Sequence, residues 1–155
     1  MTATTTPRPT GHPGYSQTMP RDPRSAAGAR RLVRTALAAW AMEPLAEDAG
    51  LVITELVSNA ALHSRLASIR VLVSRPEKGR VRLAVVDRSR RVPVVRRDFD
   101  GDGTRGRGMV LVDALSDHWG TEVYRWGKQV WAELTIDPAE ADREADDPRG
   151  GPAAP

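Results

Sequence analysis

From Ile69 to Val85 the apolar side chains fall on alternate positions: Ile69, Val71 and Val73 before a turn at Pro76 to Gly79, and Val81, Leu83 and Val85 after it. Period-two alternation is the pattern of a strand with one buried face, so the stretch reads as a β-hairpin that must find a cover. The chain supplies that cover on both sides. After Asp22-Pro23, an N-cap type residue with proline at the first helical position, one apolar stripe runs through Ala26, Ala29, Leu32, Val33, Ala36, Leu37 and Trp40. A second helix is predicted from Glu43-Pro44 to about Ser64, burying Leu45, Ala49, Ile53, Leu56 and Ala60. Helical spacing resumes at Met109, Leu111, Val112 and Leu115, and two strands then flank the turn Trp126-Gly127-Lys128, the second carrying Val130, Ala132, Leu134 and Ile136. Tyr15 to Met19 reads as a short strand ahead of the first helix. Helices grouped on one face of a mixed, mostly antiparallel sheet bury all these stripes, giving an α/β two-layer sandwich.

The ends of the chain set the boundaries. Residues 1–14 are Thr, Pro and Gly with little to bury, and residues 137–155 are acidic, small and proline-rich, so both read as disordered tails around one domain at 15–136. A chain of 155 residues has room for one such domain with a real core. No apolar run reaches the length of a membrane span, and the first residues lack the apolar core of a signal peptide, so a cytoplasmic protein is expected. The absence of cysteine excludes disulfides and thiolate metal sites. Any metal would be held by oxygen or imidazole. Of the 23 basic residues 21 are arginine, and six acids lie beyond Ile136, so the folded part is more basic than the net charge of +3 suggests. Such a surface attracts nucleic acid, nucleotide phosphates or an acidic protein partner. Direct nucleic-acid binding is disfavoured, because no helix-turn-helix or zinc-finger pattern is present and one Phe and two Tyr make a poor stacking platform.

Three constellations carry chemistry. In LVITELVSNAALHS, Glu55, Asn59 and His63 are spaced i, i+4, i+8 and share one helix face, apart from Ile53, Leu56 and Ala60. An amide oxygen is a hard ligand suited to Mg²⁺, and a carboxylate one turn away can orient or deprotonate a nucleophile beside a transferring phosphate. The spacing alone fits better the solvated side of an amphipathic helix, with His63 near the C-terminal end of the dipole. In VRLAVVDRS, Asp87 shares the parity of Val81, Leu83 and Val85, which aims its carboxylate at the helix layer. There it either receives a ligand's amino group, such as adenine N6, with Ser89 adding a water or hydroxyl contact, or it caps the following loop or pairs with an arginine. Finally, Arg105-Gly106-Arg107-Gly108-Met109 opens the third helix, where free amides and two glycines offer an anion site or form a loop joining a helix. Of the seven arginines from Arg88 to Arg107, Arg105 and Arg107 are the candidates for phosphate contact.

Taken in order, these pieces resemble the GHKL ATPase and kinase superfamily, and within it the small anti-sigma-factor-like serine/threonine protein kinases of bacteria. The N box is ELVSNAALH (Glu55 to His63), the first glycine-box position is VVDRS (Asp87, Ser89), and the second glycine box is GRGMVLVDALSDHWG (Gly106 to Gly120), over about residues 15–136. The resemblance implies ATP and Mg²⁺ as cofactors, Asn59 on magnesium, Glu55 as the base or water-orienting carboxylate, Asp87 on adenine, and residues 88–105 as a lid. It further implies a protein partner, an antagonist of the anti-sigma type or a sigma factor, while exposed strand faces with Trp126 and Trp131 leave room for a homodimer. The chain departs from the superfamily's D-x-G-x-G, reading Asp87-Arg88-Ser89-Arg90-Arg91 with no glycine. Two functions follow: phosphoryl transfer to a serine or threonine, or nucleotide binding without transfer.

Overall fold

A computed structural model describes residues 4–5, 12–63, 67–88 and 107–137. The described elements are β1 (Thr4–Thr5), β2 (Gly14–Pro20), α1 (Ser25–Ala39), a 3₁₀ turn (Glu43–Leu45), α2 (Ala46–His63), β3 (Ser68–Glu77), β4 (Arg80–Asp87), α3 (Arg107–Leu115), β5 (His118–Tyr124) and β6 (Gly127–Thr135). The strands form one sheet in the order β1-β2-β3-β4-β6-β5. Helices α1 and α2 pack on each other and on the sheet, and α3 packs on α2, so the two-layer α/β arrangement expected from the stripes is present.

The sheet differs from expectation in its pairing and at its N-terminal edge. Every described pair is antiparallel, so it is not mixed. The helix α3 connects β4 to β5, which run in the same direction, but β6 turns back from β5 and inserts between them. A crossover that would otherwise create a parallel pair is thereby split. Strand β2 is also longer than expected, reaching from Gly14 to Pro20 opposite Ser74 to Ser68, and Thr4–Thr5 adds a short antiparallel partner within the segment read as a tail. Strand pairing needs backbone groups rather than apolar side chains, which is why a Thr-rich stretch gave no sign of it.

The core lies between the layers. Val71, Val73, Val81, Leu83 and Ala132 of the sheet are fully buried against Ala29, Leu37, Ala49, Val52 and Ile53 of the helices. Helix α1 begins two residues later than the Asp22-Pro23 signal. Arg24 is its N-cap with no side-chain cap, while Asp22 forms a turn by accepting from the Arg24 backbone N–H at 2.8 Å. At its other end Ala41 takes a left-handed φ of 54°, and the Met42 N–H donates to the Leu37 carbonyl at 2.8 Å, a Schellman closure completed by two buried side chains. That closure turns the chain into the 3₁₀ segment, with Pro44 in its first turn, and so sets the entry of α2.

Candidate nucleotide site

Helix α2 carries the first candidates. Its buried side, Val52, Ile53, Leu56, Val57 and Ala60, is fixed in the core, which leaves Glu55 and Asn59 half-buried along one flank. They are not a fully solvated face. The Asn59 side-chain oxygen is buried and has no hydrogen-bond partner among the described residues. An unmatched buried amide oxygen is costly unless something donates to it or coordinates it. Beside it, burial pushes the Glu55 carboxyl above its ordinary value of 4.5. Desolvation favours the neutral acid, so Glu55 is a stronger proton acceptor when ionised than a surface glutamate. His63 is the last residue of α2, and its side chain lies outside the described part.

Strand β4 ends on Asp87, which keeps the buried parity of Val81, Leu83 and Val85 and is 2% exposed. Sequence reasoning offered a ligand amino group, a loop cap or an arginine as its counterpart. Among the described residues the structure places Lys128 directly opposite, on β6, a partner that the parity argument did not name. The Lys128 ammonium donates to Asp87 Oδ1 at 3.2 Å, and both side chains are fully buried. Lys128 was read as a turn residue, although it has the parity of Val130, Ala132 and Leu134, all buried; that parity was the signal available. Gly127 makes the arrangement feasible, since a Cβ there would collide with the Asp87 carbonyl oxygen.

The remaining candidates divide. Ser89, Arg105 and Gly106 lie outside the described residues, as does the expected lid apart from Arg88. Arg107 and Gly108 open α3 as expected for the second glycine box, but their side-chain positions are likewise outside the described part. Met109 is 2% exposed within the hydrophobic core, so its role in the described structure is packing. Helix α2 packs against β4, α3 and β6, and thus brings together the elements that hold Asn59, Asp87, Gly108 and Lys128. Away from this site, a cavity of about 640 Å³ opens between β2 and α1, near Met19, Asp22, Arg24 and Gly28. It shares no residue with the candidate nucleotide site.

On the other face of the sheet, Trp131 lies under the Arg82 guanidinium at 4.4 Å, and Arg82 also pairs with Glu122 at 3.6 Å. A side chain at Gly120 would come within 2.9 Å of the Trp131 ring. Trp131 is therefore largely covered by its own chain. Trp126 stays exposed, stacked on Tyr124 at 5.0 Å with Arg88 above it at 5.4 Å.

Among the described residues no group of three or more His, Cys, Asp or Glu could hold a metal ion, and no helix is long and apolar enough to cross a membrane. The family model for the histidine kinase-like ATPase domain matches residues 19–136, which span every candidate residue above. No curated protein matches the chain.

Proposed function

The chain belongs to the histidine kinase-like ATPase domain family, and from that premise we propose that it is an ATP-binding regulatory protein. In this reading it passes the γ-phosphoryl group of ATP to a serine or threonine hydroxyl of a partner protein, in the manner of the anti-sigma-factor kinases. The observation that carries it is the Asn59 side-chain oxygen, buried and without a partner among the described residues, one turn from a desolvated Glu55.

Each residue then has a physical task. Asn59 offers a neutral oxygen to magnesium, which when bound offsets negative charge on the phosphates. Glu55 accepts a hydrogen bond from the incoming hydroxyl and takes its proton as the new P–O bond forms and the bond from the γ-phosphorus to the departing ADP breaks. Asp87 accepts from the amino group of the base through a carboxylate oxygen. The amides at the start of α3, with Arg105 and Arg107, receive the phosphates. Such a protein works in the cytoplasm, with an antagonist protein or a sigma factor as its partner.

The alternative is a module that binds nucleotide and sequesters its partner without transfer. One observation favours it: the positions after Asp87, Arg88-Ser89-Arg90-Arg91, carry no glycine. Radiolabelled ATP separates the two. Incubation with the proteins encoded beside this chain should label one of them, and Glu55→Gln should bind ATP yet transfer nothing. Binding of ATP with no labelled acceptor would establish the silent module.

A further inference from the structure

We propose that Lys128 is an internal competitor of the nucleotide base, holding the Asp87 carboxylate in the nucleotide-free chain so that base binding requires this ion pair to open. The inference rests on the nucleotide reading above. It starts from a pair with both side chains 0% exposed and the ammonium 3.2 Å from Oδ1, so a base reaching Asp87 meets a carboxylate that is already engaged and covered. A charge-assisted bond from an ammonium is stronger than one from a neutral amino group, so the incoming donor competes against the better one.

The placement is fixed by backbone and not by chance rotamers. Asp87 and Lys128 are direct partners in the β4–β6 ladder, and the missing Cβ of Gly127 lets the turn lie against the Asp87 carbonyl. The strand itself therefore has little room to shift. What can move is the lysine side chain, a compact charge on a flexible four-carbon stem, in a chain that otherwise uses arginine for all but two of its 23 basic residues. Stability does not ask for the pair, because well-packed apolar residues of similar volume do as well or better than a buried ion pair. A chain whose competent state is only partly populated binds with its intrinsic affinity reduced by that fraction.

Removing the competitor should therefore tighten binding. Lys128→Thr keeps a strand-favouring side chain and a hydroxyl donor while withdrawing the ammonium. In calorimetric titrations of the full chain with Mg-ATP, this variant should bind about tenfold more tightly than wild type. Equal or weaker binding by Lys128→Thr, with wild type binding normally, would overturn the competitor and leave the nucleotide reading standing. No binding by either protein would overturn the nucleotide reading and the competitor with it. A second measurement uses the folded wild type and so does not depend on how well the variant folds. Labelling lysine with ¹³C gives two ε-carbon signals, and Lys78→Arg assigns them. Saturating Mg-ATP should displace the Lys128 signal, and a signal unmoved at saturation would overturn the proposal.

Discussion

Strands β4 and β6 meet rung by rung on the face that looks toward the helices, and the rungs change character along their length. Leu83 faces Ala132 and Val85 faces Val130, apolar pairs buried in the core, but the next same-face rung sets Asp87 against Lys128. Parity, pairing and burial are the same. Only the chemistry differs. The apolar rungs contribute by removing surface from water, whereas the charged rung must recover the cost of desolvating two ions. A fold that needed stability alone would have continued the apolar ladder, and under the proposed function the charged rung is where the sheet meets the nucleotide.

The largest expected effect breaks the charged rung from one side. Asp87→Ala leaves a buried ammonium without its anion and should cost about 3–5 kcal/mol in chemical denaturation, together with loss of ATP binding. Leu83→Ala, two same-face rungs away, should cost about 2–5 kcal/mol through its cavity, yet the folded protein should keep the ATP affinity of wild type. Together these two variants separate stability from ligand binding on one strand. Replacing both charges, as Asp87→Leu with Lys128→Met, sharpens the point. Stability should be unchanged or higher by about 1–4 kcal/mol, while ATP binding is absent from calorimetry.

The smallest effect lies on α2. Burial raises the Glu55 carboxyl above 4.5, so the folded state holds that proton longer than the unfolded chain does. The contribution of Glu55 to stability is then most favourable below pH 4.5 and is lost as pH rises through the raised folded-state value. Glu55→Gln removes this penalty. Its melting temperature should exceed that of wild type by under about 2 °C at pH 7, with the difference vanishing below pH 4.5.

How much of this was legible in the sequence follows from the range of each interaction. The β3–β4 hairpin and the stripes of α1 and α2 are local periodicities, and Leu45, Ala49, Ile53, Leu56 and Ala60 are all buried as the spacing required. The insertion of β6 between β4 and β5 was not legible, because strand order is set by pairing across the whole fold. Ala41 gave no sign of its left-handed φ, since a glycine would ordinarily announce such a helix end. At the site, parity exposed Asp87 as a buried carboxylate, but its partner sat beside a turn and was read as part of it. The half-burial of Glu55 and Asn59 likewise depends on neighbours distant in sequence.

The central claim is that Asp87 receives the base of ATP, and titration calorimetry on wild type and Asp87→Asn tests it most directly. With Mg-ATP and both proteins verified as folded by circular dichroism, wild type should give a saturable binding heat and Asp87→Asn none. Binding of equal affinity by the two proteins would contradict it.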